Sequence, residues 1–216
     1  MIDLSQPLGP GTVLWPGSTP FEVTARAEAK SSSYWRSISL SEHAGTHLDA
    51  PAHFAPGGAT ADEVPLEALV RPAALLDARE LCGDDPDAEI GAEPILEHEA
   101  AHGGLEPGDV LLVCTGWDRF VADAERYGRF PGLSPAAAEL AVGRGLAGIG
   151  IDTLGIEPAA ATEFPAHRIT QRAGLWHLEG LVNLDRLPPR GAWIVAAAVP
   201  IVEGSGAPAR AFAILL

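Results

Sequence analysis

The stretch SEHAGTHLDAPAHF, residues 41–54, contains three histidines and one aspartate, all at odd positions: His43, His47, Asp49 and His53. Residues two apart on an extended backbone project to the same side, so these four side chains start on one face. A straight strand would separate His43 from His47 by roughly 13 Å, which is too far for one metal ion. The chain must therefore bend between them.

Two residues of the stretch are suited to breaking a strand. Gly45 lacks a Cβ and tolerates a bend, and Pro51 cannot continue a central strand. Imidazole and carboxylate groups are the common ligands of zinc and its first-row neighbours. The spacing therefore predicts a metal site, with a polar turn carrying solvated histidines as the alternative.

The composition limits the class of protein. The 216 residues are 47% hydrophobic, enough for a sizeable core in one large domain or two small ones. The net charge of −15 argues against binding a nucleic-acid backbone, which needs clustered cations. We interpret the acidity as a contribution to solubility.

The termini and the cysteines point to a soluble protein. Met1 to Ser5 lacks the basic-then-apolar pattern of a signal peptide, and no apolar run reaches 18 residues. We expect a cytoplasmic protein that does not bind membranes. Cys82 and Cys114 have no metal-type spacing, and Cys114 ends an apolar run, which favours a buried thiol; a disulfide is possible but unsupported.

Hydrophobic periodicity predicts a mixed α/β class with one compact domain over residues 1–216. Buried strands separated by helical segments predict a crossover that pairs two strands in parallel. The expected strands are Phe21–Ala27, Ser37–Ser41, Ala73–Asp77, Asp109–Thr115, Gly148–Asp152, Trp193–Val199 and Ala211–Leu215. The expected helices are Trp117–Tyr127, one opened by Ser134 and Pro135 that runs to about Arg144, and Pro165–Arg172.

A second motif competes for a metal. Residues 98–102 read HEAAH, and two histidines at i and i+4 of a helix can share a zinc ion beside a glutamate base. The flanks are acidic, Gly103-Gly104 ends the helix, and no third histidine follows closely. A short, acidic, solvent-facing helix is the favoured interpretation.

Further candidate ligands lie downstream. His167 falls inside the expected helix, and Glu179 stands in an apolar stretch where a carboxylate needs a partner or a metal. An ion pair with an arginine is the alternative for Glu179. His177 stands two residues before Glu179 and is a weaker candidate than His167.

The run HAGTHLDAPAH, residues 43–53, resembles the signature of the cyclase-like metal-dependent hydrolase family. That family includes bacterial kynurenine formamidases, which the chain is most similar to, and isatin hydrolase. Residues 3–8, Trp15-Pro16-Gly17, residues 150–153 and residues 179–183 follow in family order.

The resemblance implies a swivelling β/β/α fold with a mixed sheet, and a homodimer or larger homo-oligomer. It implies two divalent ions, zinc or manganese. His43, His47 and Asp49 would hold the first ion, Asp49 would also touch the second, His167 would bind the second, and Glu179 would bridge both.

The same resemblance assigns roles in the reaction. His53 would transfer a proton and Trp15 would line the pocket, with packing of the turn as the alternative for Trp15. Phe21, Tyr34 and Trp35 are further pocket candidates, with core packing as the alternative for the last two, and the bulky Trp176 is expected to reshape the pocket. The implied activity is hydrolysis of a small aromatic amide, first N-formylkynurenine. Alternatives are another cyclic or aryl amide or a lactone, or a catalytically silent metal-binding protein.

Overall fold

Apolar runs form the central strands of a mixed sheet in the computed structural model, which describes residues 1–27 and 33–215. The strands are β1 (Ile2–Asp3), β2 (Glu22–Ala27), β3 (Trp35–Ser39), β4 (His47–Asp49), β5 (Val70–Asp77), β6 (Glu89–Ile90), β7 (Val110–Cys114), β8 (Gly132–Leu133), β9 (Gly148–Ile151), β10 (Trp176–Glu179), β11 (Ala192–Ala198) and β12 (Gly206–Leu215). The helices are α1 (Arg79–Cys82), α2 (Ala92–His102), α3 (Ala124–Tyr127), α4 (Pro135–Gly143) and α5 (Pro165–Arg172). Short 3-10 helices cover Pro51–His53, Leu66–Leu69, Trp117–Phe120 and Leu184–Arg186.

The main sheet closes on itself. Its order is β1-β12-β11-β5-β7-β9-β10-β4, and β4 also pairs with β12, which completes a barrel-like ring. Strands β5, β7, β9 and β10 run parallel, whereas the pairings through β4, β11 and β12 are antiparallel. The predicted α/β class with a mixed sheet is confirmed.

Alternation along the strands divides the apolar residues between two cores. On one side, Leu112 of β7, Leu48 of β4 and Leu178 of β10 belong to the core enclosed by the sheet. On the other side, residues such as Leu111 and Ile149 pack with α2, α4 and α5. The side chains next to Leu48 and Leu178 therefore face the helix layer.

The predicted crossover is confirmed, because β7 and β9 are parallel and α4 lies between them. Ser134 caps α4 by accepting a hydrogen bond from the amide of Ala137, as its position predicted. The expected continuous helix over Trp117–Tyr127 is wrong. Asp123 interrupts it, because its carboxylate accepts from the Arg126 amide and starts α3 as a separate turn.

Trp176 lies in the sheet-enclosed core rather than at a pocket, which corrects the expectation that it would reshape one. Its indole lies over Gly148, where an added Cβ would approach ring atoms to 2.6 Å, and its Nε1 donates to the Ala68 carbonyl at 3.1 Å. The glycine thus makes room for the tryptophan on the paired strand.

The sequence predicted that the chain has no membrane-spanning segment and that the Cys114 thiol is buried. Within residues 1–27 and 33–215, no helix combines the length and the hydropathy needed to cross a bilayer. Cys82 and Cys114 are both buried and both free. The predicted buried thiol at Cys114 is therefore confirmed.

We predict that Gly148→Ala lowers the free energy of unfolding by about 1–3 kcal/mol, because the added methyl group overpacks the Trp176 ring. Gly143→Ala is the control, since an added Cβ there meets no atom within 4 Å at the end of α4. Urea unfolding of both variants measures the difference. Equal stability of the two variants would contradict this account.

Candidate metal centre

The paired strands β4 and β10 place four polar side chains on the helix-facing side of the sheet. His47 lies directly opposite Glu179, and Asp49 lies opposite His177. All four are buried, with exposed fractions of 3% or less. Cross-strand neighbours on one face are close enough to act on a common ligand.

Each oxygen of the Asp49 and Glu179 carboxylates lies near one or two imidazole nitrogens. Asp49 Oδ1 lies 2.6 Å from His43 Nδ1 and 3.2 Å from His47 Nε2, whereas its Oδ2 lies 3.5 Å from His167 Nε2. Glu179 Oε2 lies 3.4 Å from His47 Nε2, and Oε1 lies 3.1 Å from His167 Nε2. Each carboxylate thus faces both a β4-side imidazole and the α5 imidazole. These side chains form two adjoining sets of possible metal ligands that share Asp49 and Glu179.

The bend predicted between His43 and His47 is present. Gly45 adopts a left-handed conformation with φ of +64°, and strand β4 begins two residues later at His47. Pro51 opens a 3-10 helix that carries His53 away from the strand. The three histidines of the segment therefore approach Asp49 from different directions.

Hydrogen bonds behind the rings determine which nitrogen of each imidazole carries a lone pair. His47 Nδ1 donates to the Gly45 carbonyl at 3.0 Å, which leaves Nε2 as the donor atom toward the carboxylates. Ser205 Oγ donates to Glu42 at 2.8 Å and therefore accepts from His43 Nε2 at 2.9 Å. His43 consequently presents the lone pair of Nδ1 to the centre.

His167 on α5 is oriented in the same way. Its Nδ1 donates to the carboxylate of Glu157, and its Nε2 faces Asp49 and Glu179. Glu157 is itself buried, with 3% of its surface exposed.

His177 is close to the centre, and its ring could be counted with Asp49, His167 and Glu179 as a ligand group. Its nitrogens are already used. Thr170 Oγ1 donates to the Ala166 carbonyl and so accepts from His177 Nε2 at 2.8 Å, while Gln171 Nε2 donates to His177 Nδ1 at 3.3 Å. We therefore assign His177 a supporting place under α5.

His53 occupies the solvent side of the centre. Its Nε2 lies 3.8 Å from Asp49 Oδ2, and its ring stacks on that of His43 with centroids 4.2 Å apart. Its side chain is 31% exposed, and burial lowers its pKa below the ordinary value. His43, Asp49 and His53 also form a group whose donor atoms lie within 4.8 Å of one another.

The pKa values of His47, Asp49 and Glu179 indicate whether this centre suits a bound cation. Burial opposes charge on His47, yet the bonds to Asp49 and Glu179 outweigh it and raise its pKa to about 10. Burial and the charge of Asp49 oppose ionisation of Glu179, but the bonds from His167 and His47 hold its pKa at about 2. The pKa of Asp49 is also held well below its usual range by His167 and His43, against the effect of burial. Two ionised carboxylates in a buried site require positive charge, and a divalent cation bound by oriented imidazoles fits that requirement.

A cavity of about 320 Å³ opens from the centre. Its lining includes the histidines and carboxylates of the centre together with the apolar side chains of Trp15, Phe54, Leu154, Pro158 and Phe164. The described lining does not include Phe21, Tyr34 or Trp35, and the last two are exposed.

The rings of Trp15, Phe54 and Phe164 form an aromatic wall of the cavity, and edge-on contacts link Trp15 to its neighbours. Trp15 meets Phe164 with ring centroids 5.8 Å apart, and Phe130 at 6.2 Å from behind. Phe164 has φ of +50°, a left-handed backbone that is rare for an aromatic residue, directly before the Pro165 that opens α5.

The HEAAH motif is not part of this centre. Glu99 forms two hydrogen bonds of 2.7 Å with Arg144 and accepts a third from the Leu105 amide, so it is engaged as a structural ion pair. His98 is buried and His102 is exposed on α2. The helix is therefore only partly solvent-facing, and the structure gives no support to a protease-like site.

The structure brings together the six residues to which the sequence analysis gave a metal or proton-transfer role, and it places Trp15 on the cavity wall. Their individual roles stay predictions. Sequence reasoning missed the partners behind the rings: Ser205, Glu157, Thr170 and Gln171. The one available signal in the sequence was Glu157, a glutamate that follows the apolar Leu154-Gly155-Ile156 ten positions before His167.

The chain is similar to proteins of one known family, in sequence and in fold. The family model described as putative cyclase matches residues 2–158. The isatin hydrolase of Roseibium aggregatum is 34% identical over 197 residues, covering 84% of this chain and 74% of that protein. The kynurenine formamidase of Salinibacter ruber is 31% identical over 220 residues, covering 98% and 95%. The solved structure of isatin hydrolase A from Ralstonia solanacearum superposes with a TM-score of 0.92 at 31% identity, covering 100% of this chain and 91% of that one.

We predict that His47→Ala loses bound divalent metal, because it removes the Nε2 atom that faces both carboxylates. The loss of affinity should be at least the 10–100-fold that is typical of removing an outer partner of a ligand. Elemental analysis after dialysis measures the metal content, and His102→Ala on the surface of α2 is the control. A fully loaded His47→Ala protein would remove His47 from the ligand set.

Proposed function

This chain belongs to the putative cyclase family and is a metal-dependent hydrolase of amide C–N bonds; we propose that it cleaves the amide of a small N-aryl substrate. One observation carries the proposal. Two buried carboxylates and three oriented imidazoles lie beside one another in a cavity that is also lined by the rings of Trp15, Phe54 and Phe164. One cavity thus offers polar groups for a reacting carbonyl and aromatic rings for an aryl group.

We assign the ligands to two adjoining positions. His43, His47 and Asp49 would hold one cation, and Asp49, His167 and Glu179 the other. A divalent cation supplies two effects when bound, since it lowers the pKa of a water ligand toward 7 and polarises a carbonyl oxygen. The side chains contribute orientation, because a hydrogen bond behind each ring determines which nitrogen faces the centre, and that nitrogen can give up its proton when a cation binds.

His53 is the group we propose for proton transfer. It is half-buried at the cavity end of the centre and stacks on His43, and burial favours its neutral form. A neutral imidazole accepts a proton from the attacking water and returns it to the departing nitrogen. An arylamine is a weaker base than an alkylamine and is expelled more easily.

The aromatic wall fits the aryl part of the substrate. Trp15, Phe54 and Phe164 present ring faces and edges to the cavity, and aromatic pairs of this kind favour offset or edge-on packing. The wall also limits the access of water to the amide.

N-formylkynurenine, cleaved to formate and kynurenine, is the first candidate substrate, on the similarity to kynurenine formamidases. A neutral cyclic aryl amide of the isatin type is the second, and one observation favours it. N-formylkynurenine carries an α-carboxylate, and among the described residues that line the cavity there is no lysine or arginine to pair with it. The fold similarity to isatin hydrolase A points the same way.

Three finer expectations accompany the proposal. Two ions are expected, zinc or manganese, because imidazole and carboxylate ligands accept both. The family resemblance favours a homodimer or larger assembly, and a cytoplasmic location is expected. Native mass spectrometry of the metal-loaded protein tests the ion count and the assembly together.

An absorbance assay on N-formylkynurenine and on isatin, with and without a chelator, tests the function. We expect turnover of at least one substrate that the chelator abolishes and added zinc or manganese restores. Preference for isatin would support the charge argument. Metal binding without hydrolysis of either compound would contradict the proposal and favour a catalytically silent protein.

We predict that His53→Ala retains its metal and loses about 10²–10⁴-fold in kcat, the range for removing a general acid–base group. Elemental analysis and steady-state kinetics on the same preparation separate the two effects. His102→Ala again provides the control, with unchanged metal and rate. A metal-free His53→Ala protein would instead make His53 a ligand.

A further inference from the structure

We propose that Glu157 is a positioning residue that sets the cation affinity of the Asp49, His167 and Glu179 group. The inference rests on the proposed function, because it concerns the metal that this function requires. It goes beyond that function by assigning a role to a carboxylate outside the predicted ligand set.

Glu157 bonds to His167 twice. Its Oε2 accepts from the ring Nδ1, and its Oε1 lies 3.4 Å from the His167 backbone amide, which is the longer contact. The first bond fixes the tautomer and the rotation of the ring, so that the Nε2 lone pair faces Glu179 Oε1 at 3.1 Å. A carboxylate behind an imidazole also makes the opposite nitrogen a stronger electron-pair donor.

The three oriented imidazoles differ in what stands behind them. His47 has a neutral backbone carbonyl, and His43 has a serine hydroxyl that separates it from Glu42. Only His167, of these three, has a carboxylate bonded directly to the ring nitrogen that faces away from the centre. The anionic support therefore acts on one of the two donor sets and should affect one cation position more than the other.

Backbone contacts with β8 fix the position of Glu157. The Leu133 amide of β8 donates to the Ile156 carbonyl at 2.6 Å. Gly132 lies so close to Glu157 that an added Cβ would come within 2.4 Å of the Glu157 backbone carbonyl carbon. The backbone that carries the carboxylate is thus fixed against β8, opposite the start of α5.

Zinc titration of the metal-free protein against a chromophoric chelator tests the inference without relying on activity. We expect Glu157→Ala to weaken one of the two zinc equivalents by about 10–100-fold and to leave the other within about twofold. Glu157→Gln should weaken the same equivalent by less, because its amide oxygen can still accept from Nδ1 but carries no charge.

Glu163→Gln is the matched control. It removes the same charge at an exposed position two residues before α5, where the contact to Arg168 runs through the Glu163 backbone carbonyl. Its zinc affinities should stay within about twofold of the parent, and the thermal midpoint of its metal-free form should match that of the parent.

The outcomes separate this inference from the proposed function. Zinc affinities of Glu157→Gln that match those of Glu163→Gln would overturn it, even if Glu157→Ala failed to fold. Equal weakening of both equivalents, with a lower midpoint of the metal-free protein, would show that Glu157 has a general structural role and would also overturn it. Failure of the parent protein to bind zinc or manganese would instead contradict the proposed function itself.

Discussion

Two ionised carboxylates buried side by side are the constraint on which this structure depends. Asp49 and Glu179 lie on paired strands with 1% and 3% of their surfaces exposed. An isolated buried carboxylate is strongly unfavourable, so neighbouring groups must supply positive charge or the carboxyls must take up protons. The imidazoles around them meet this need without metal by holding protons, and their lone pairs make the same place suitable for a cation.

The sheet provides this arrangement through simple alternation. Leu48 and Leu178 point into the enclosed core, so their neighbours on β4 and β10 face the helix layer. Helix α5 then supplies His167, and its Thr170 and Gln171 hydrogen-bond to the two ring nitrogens of His177. Burial lowers the pKa of His177 to about 3, so this ring is neutral. Gln171 also accepts from the Phe54 amide at 2.7 Å and so links α5 to the segment that carries His53. One helix therefore organises both the donor sets and the proton-transfer candidate.

Much of the local structure followed from sequence because its causes are local. The bend at Gly45, the cap at Ser134 and the parallel pairing of β7 with β9 depend on neighbouring residues or on strand alternation. The local sequence made His167 and Glu179 candidate ligands, but only the family resemblance joined them to Asp49 in one site, because no spacing rule connects residues more than a hundred positions apart. The partners behind the rings were invisible for the same reason: Ser205 reaches His43 from 162 positions away. The break at Asp123 was missed because a capping side chain can outweigh helical periodicity.

The backbone of Phe164 has a consequence for engineering. An aromatic residue in the left-handed region costs on the order of 1–3 kcal/mol, and the surrounding fold must hold it there. Glycine or asparagine would relax that strain and raise thermal tolerance, but either would remove a ring from the hydrophobic wall beside Trp15. Selection for heat resistance and selection for an aromatic cavity lining thus favour different residues at this one position.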